Sequence, residues 1–226
     1  LLNRDDLPTA AMSIDDFYLP HGERQQLARA VHPLLATRGV PGTHDVELAL
    51  AVIESLADEG ATQVPVFDKA TDDRRPRRQW RSIEGPLRAV ILEGWCVGAR
   101  PEPAARLAAP VNALERDEDT QGRWRGYVNQ ALEGRYAALF ARLSPMVLLA
   151  APSFEVVLAW RTEQEHKLRE RLAREGGDGS RVMNDEQVAR FISHYERITR
   201  HILDEMPARA DHLIALDAAR HARLLR

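Results

Sequence analysis

The chain has 226 residues, 44% hydrophobic and 29% charged, enough for one α/β domain with a sizeable core. A formal net charge of −3 excludes the basic field that a nucleic-acid binder needs, and one cysteine, Cys96, excludes an internal disulfide. No apolar run reaches the ~18 residues of a membrane span and no signal-peptide pattern opens the sequence, so a soluble cytoplasmic protein is expected. Lysine is confined to Lys69 and Lys167, so arginine carries nearly all the positive charge.

Ala10–Ile14 reads as a short buried strand that ends abruptly in Asp15 and Asp16. Those two residues have two readings: caps for the next helix, or chemistry at the carboxyl end of a strand. Glu23–Leu35 has helical spacing, and residues 38–45 form a loop rich in turn residues. Asp45 suits the N-cap of a helix whose apolar positions Val46, Leu50, Ile53 and Leu56 share one face and which stops at Gly60. Gln63–Phe67 follows as a strand, placed at an edge or a strand end by Pro65.

Asp68–Trp80 is crowded with arginines and reads as a loop. Leu87–Leu92 is continuously apolar, as in a parallel strand covered on both faces, and ends in Glu93. A long helical pattern spans about 120–143, then come a strand at Met146–Ala150 and a helix from Ser153 to about Ala173. Gly176, Gly177 and Gly179 make the next segment tightly turned or mobile. Asn184 or Asp185 caps a helix through Met206, and His212–Leu216 is the last strand. Strands separated by helices give a three-layer α/β fold with a mainly parallel sheet and helices on both faces. With no internal repeat and no long linker, residues 1–226 are expected to form a single domain.

Three motifs bearing carboxylates, Asp15/Asp16, Asp68 and Glu93, therefore stand at the carboxyl ends of expected strands. In an open α/β sheet such ends share one crevice. The collinear series Ser13-Ile-Asp-Asp-Phe-Tyr18, Arg38-Gly-Val-Pro-Gly-Thr-His-Asp45, Pro65-Val-Phe-Asp-Lys69 and Leu92-Glu-Gly-Trp95 resembles the P-loop small-molecule kinases. That group contains uridine kinase, pantothenate kinase and phosphoribulokinase; within it the resemblance is to D-glycerate 3-kinase of the plant type and its bacterial relatives. The likeness continues through Trp160-Arg-Thr-Glu-Gln-Glu165 and Met183-Asn-Asp-Glu-Gln-Val188, covering nearly the whole chain in order.

The resemblance implies a P-loop NTPase-like fold and ATP-dependent phosphorylation of a small hydroxy acid, D-glycerate first, with Mg²⁺. Asp15 matches the aspartate that orients or deprotonates the acceptor hydroxyl. Glu93 matches the acidic residue near Mg²⁺, with Asp16 structural or metal-associated. Arg38, His44, Asp68 and Lys69 match the acceptor-binding side, Arg38 being suited to a carboxylate through its planar fork. Arg161 matches a phosphate-facing arginine at the start of a lid-like segment, about 161–184, where Arg169, Arg171, Arg174 and Arg181 flank the glycines.

The motif G-x-x-x-x-G-K-[ST] does not occur, since Asp68 precedes Lys69 and His166 precedes Lys167. In the family this unit lies upstream of the Ser13 segment, and the first residue here is Leu1 rather than Met. The expectation is a chain truncated at its N-terminus or, failing that, a degenerate member. A non-catalytic remnant, and a kinase of the same fold acting on a nucleoside or pantothenate, are the two other readings.

Overall fold

The structure is a computed structural model and describes residues 7–175 and 182–226. In chain order the main elements are β1 (Thr9–Ser13), α1 (His21–Ala30), α2 (Val46–Ser55), β2 (Gly60–Val64), β3 (Phe67–Asp68), β4 (Asp73–Arg74), β5 (Arg81–Gly85) and β6 (Ala89–Glu93). There follow α3 (Ala113–Glu118), α4 (Arg123–Ala131), α5 (Ala137–Phe140), β7 (Val147–Ala150), α6 (Phe154–Glu175), α7 (Asp185–Ser193), α8 (Glu196–Arg209), β8 (His212–Leu216) and β9 (Ala222–Leu224). None of the described helices is long and apolar enough to cross a membrane.

The chain divides into two compact units. One holds the residues up to Ala108 with Gln121–Ser144, the other Ala109–Thr120 with Pro145–Arg226. In the first, β1 and β6 pair in parallel with Ser13 opposite Glu93, so both strands deliver their carboxyl ends side by side. The β2–β5 and β3–β4 pairs are antiparallel. Met12, Ile14, Phe17, Leu35, Leu56, Val64 and Leu139 are buried there.

In the second unit β7 pairs in parallel with β8, and β9 adds antiparallel to β8. Phe154, Val188 and Ile192 form a core cluster with Leu158, Met183 and Phe191 around it. The buried Arg197 donates to both oxygens of the buried Glu115 (2.8 and 2.6 Å) and to the Ala109 carbonyl (2.7 Å). Such a pair is tolerated inside a protein because every charge is matched by a hydrogen bond.

Several expected elements are subdivided. The helix expected over 23–35 stops at Ala30, and Pro33–Ala36 forms a 3-10 turn. Pro33 has no N–H to give and disfavours helical backbone at His32. The pattern over 120–143 breaks into α4, a π-turn at Leu132–Tyr136 and α5, with Gly134 non-helical. Asn184 makes a capping box with Gln187, but its helix is interrupted after Ser193. The expected loop at 68–80 contains the β3–β4 hairpin. Ile91 on β6 is exposed rather than covered, and among the described residues β6 pairs with β1 alone.

Candidate functional site

The site grows from the turn that follows β1. Ser13 Oγ accepts the Asp15 N–H (3.3 Å) and opens a 3-10 turn over Ile14–Phe17. Residues three apart eclipse in such a turn, so Ile14 and Phe17 go inward together and leave Asp15 and Asp16 on the other side. Ser13, not an aspartate, is the cap, and both carboxylates are free for other partners.

Asp15 is held at both oxygens. Tyr18 Oη donates to Oδ1 (2.9 Å) and Lys69 Nζ to Oδ2 (2.7 Å). Asp16 turns the other way: the Phe67 N–H donates to its Oδ1 (3.4 Å) and Arg81 to Oδ2 (3.3 Å). Burial pushes the Asp16 carboxyl above the usual carboxylate range, against the opposing pull of the Phe67 N–H and Arg81.

Lys69 reaches Asp15 from the tip of the β3–β4 hairpin. Asp68 shapes that tip, accepting the Ala70 N–H (2.9 Å) and the Thr71 N–H (3.4 Å), with Arg75 at 3.3 Å. The Ala70 N–H in particular holds the Asp68 carboxyl below its usual range. At the far side of the tip Asp72 adopts φ 57°, an uncommon conformation for a residue with a side chain. It gathers Arg38, the fully buried Arg24 and His21 around its carboxylate. Burial works to raise the Asp72 carboxyl, but Arg24 and Arg38 outweigh it and hold it low. Both guanidiniums also lie over the Phe67 ring, 5.7 and 5.6 Å from its centroid.

His44 sits beneath Tyr18, the rings stacked at 4.4 Å, with Nδ1 2.6 Å from Tyr136 Oη. Burial pushes its imidazole from 6.5 down to about 3, opposed only by Asp15. The unfolded chain binds a proton that the fold refuses, so this contribution to stability is complete above pH ~6.5 and is lost as pH falls toward ~3. At about 1.4 kcal/mol per pH unit, roughly 2 kcal/mol disappears between pH ~7.5 and pH ~5. Urea unfolding at those two pH values should show this loss, and His44→Phe should diminish it.

Glu93 ends β6 opposite Ser13, exposed, its side chain without a hydrogen-bond or ion-pair partner among the described residues. No group of three or more His, Cys, Asp or Glu side chains is placed to hold a metal among the described residues. A lone carboxylate still fits Mg²⁺, which keeps several waters and takes one or two carboxylates beside substrate phosphates.

Arg161 lies in the second unit, on α6. It pairs with the buried Glu165, donates to Gln164 (3.3 Å) and stacks over Phe191. Glu165 also accepts the Met183 N–H (3.2 Å), and Arg169 donates to the Met183 carbonyl (2.9 Å). Gly176, Gly177, Gly179 and Arg181 lie outside the described residues. Asp15, Asp16, Arg38, His44, Asp68, Lys69 and Glu93 all belong to the first unit. Sequence reasoning passed over Tyr18, Asp72, Arg81 and Tyr136. Only Tyr18 carried a signal, its three-residue spacing from Asp15.

Parallel strands that end together in carboxylates place the molecule among α/β proteins whose chemistry sits at strand ends. No family model matches the chain. It is 31% identical over 203 residues to the uncharacterized kinase mug58 of Schizosaccharomyces pombe, covering 86% of this chain and 70% of that protein. To the chloroplastic D-glycerate 3-kinase of Arabidopsis thaliana it is 32% identical over 198 residues, covering 83% of this chain but 39% of that one. Among solved structures, D-glycerate 3-kinase from Cryptococcus neoformans matches with a TM-score of 0.78 at 26% identity, over 100% of this chain and 82% of that one. The chain belongs to the P-loop small-molecule kinases of the D-glycerate 3-kinase type.

Proposed function

We propose that the protein is an ATP-dependent kinase that phosphorylates the hydroxyl of a small hydroxy acid, D-glycerate. The observation that carries this reading is Asp15, presented at the end of β1 with both oxygens held and with Glu93 at the neighbouring strand end. In the transfer, the acceptor oxygen attacks the γ-phosphorus in line as the bond to the leaving ADP oxygen breaks. Asp15 takes the hydroxyl proton, and Lys69 balances charge beside it.

Arg38 takes the acceptor carboxylate as a planar fork, with Asp72 and Phe67 setting its direction. Asp68 acts through the turn that carries Lys69, and His44 from behind Tyr18. Glu93 would hold Mg²⁺, while Asp16, tied to Phe67 and Arg81, supports the turn. The ion, when bound, neutralises charge on the transferring phosphoryl group. Arg161, paired with Glu165 on α6, is the arginine assigned to the phosphate side of what we read as a single cytoplasmic kinase domain.

The test is ADP release by the full-length protein from Mg-ATP, with D-glycerate, uridine and pantothenate offered separately. Turnover with D-glycerate alone is expected. Turnover with uridine or pantothenate alone reassigns the acceptor, and a folded protein silent with all three favours the non-catalytic reading.

A further inference from the structure

Behind Asp15 stands a set of ring contacts that the transfer reading leaves unused. The chain on either side of Tyr18 is zipped to the chain around His44: the Leu19 N–H donates to the Thr43 carbonyl (2.9 Å) and the Asp45 N–H to the Phe17 carbonyl (2.7 Å). This antiparallel bridge lays the Tyr18 ring on the His44 ring at an interplanar angle of 24°. Phe67 meets the same tyrosine edge-on at 5.1 Å. Aromatic pairs in these two geometries are attractive and limit ring motion.

His44 is itself fixed. The Gly42 N–H donates to Tyr136 Oη (2.9 Å), and the same hydroxyl is hydrogen-bonded to His44 Nδ1, 2.6 Å away. Gly42 can approach because it has no side chain: its φ is +97°, and a Cβ there would lie 2.5 Å from the Tyr127 ring. Tyr136 is presented by the π-turn between α4 and α5, an irregularity frequent at functional sites. The line of contacts runs Gly42, Tyr136, His44, Tyr18, and ends at Asp15 Oδ1.

We propose that Tyr18 is a positioning residue for the Asp15 carboxylate, fixed from behind by the His44–Tyr136 pair. The proposal rests on the transfer reading, in which Asp15 takes the hydroxyl proton. With Tyr18 on one oxygen and Lys69 on the other, the carboxylate cannot rotate away from the acceptor. Lys69 is exposed, whereas Tyr18 is buried with His44 stacked on its ring and Phe67 edge-on to it, so Tyr18 supplies the orientation. A base misdirected by a small rotation loses rate through geometry alone.

The test is a double-mutant cycle in the full-length protein, read as kcat and KM with Mg-ATP and D-glycerate. Tyr18→Phe keeps the ring and removes the hydrogen bond to Asp15, so it is expected to fold and to lower kcat about tenfold with KM unchanged. In an Asp15→Asn background the same change should cost nothing further, because the group it orients is gone. Tyr136→Phe should lower kcat in the same Asp15-dependent way. A loss in Tyr18→Phe of equal size in both backgrounds, or one carried by KM alone, overturns the proposal. Asp15→Asn with wild-type turnover would instead remove the parent reading, and this one with it.

Discussion

Asp15→Asn is expected to lower turnover with the acceptor about a thousandfold while leaving KM close to the wild-type value. Asparagine has the same shape and can still accept the Tyr18 hydroxyl, so one anchor of the side chain survives. The other does not: an amide NH₂ facing the Lys69 ammonium replaces attraction by a donor–donor contact. That loss is small for folding, because Lys69 is largely exposed and such pairs contribute at most about 1 kcal/mol. Chemistry loses far more, since the amide cannot take the hydroxyl proton, and a positioned general base typically contributes about 10²–10⁴-fold. Parallel measurement of ADP release and thermal unfolding separates the two effects. A fall of less than tenfold, with Tm unchanged, would deny Asp15 the base's role. It would not revive the capping reading, because Ser13 already accepts the Asp15 N–H.

The two strand ends that make this site were legible because a parallel sheet announces itself through short continuous apolar runs that stop at polar residues. β1 and β6 fall where Ala10–Ile14 and Leu87–Leu92 indicate, within two residues, and β8 spans His212–Leu216 as expected. Asp45 caps its helix by accepting the Leu48 N–H (3.1 Å), a local interaction that sequence spacing encodes directly. What stayed hidden depends on partners distant in sequence. The stretch 73–85 that holds β4 and β5 is rich in arginine and shows no clear alternation, so nothing in it distinguishes a pairing strand from a solvated loop. Lys69 has acidic neighbours at Asp72 and Asp73, yet it pairs with Asp15, 54 positions away. Asp72 is instead claimed by Arg24 and Arg38, which makes Arg38 a held guanidinium rather than a mobile one.

Arg24 is the clearest case of a residue whose role no spacing could reveal. In the first turn of a helix, an arginine after a glutamate reads as solvent-facing, but this side chain is fully buried. Its guanidinium donates to the carbonyls of Leu19 (3.1 Å), Ala36 (3.0 Å) and Asp72 (2.6 Å), and pairs with the Asp72 carboxylate at 2.9 Å. It thereby ties the chain after Tyr18, the 3-10 turn before Arg38 and the hairpin tip to one point. Arg24→Met keeps an unbranched stem of similar packing but leaves those carbonyls without a donor. A buried acceptor stripped of its partner costs about 1–3 kcal/mol, and breaking a buried ion pair about 3–5 kcal/mol. Because Asp72 is one-third exposed and keeps Arg38, the lower end applies, and we expect a loss of roughly 3 kcal/mol in urea unfolding. Asp72→Asn discriminates between the two contributions. It retains the backbone carbonyl that Arg24 uses while removing the charge, so a smaller loss than in Arg24→Met means that the hydrogen bonds dominate. An equal loss means that the ion pair does, and then raising salt should weaken Arg38's hold as well. If Arg24→Met costs under about 1 kcal/mol, water reaches those carbonyls once the guanidinium is gone. Arg24 would then serve to aim Arg38 rather than to hold the fold, and its replacement would show in the acceptor's KM instead.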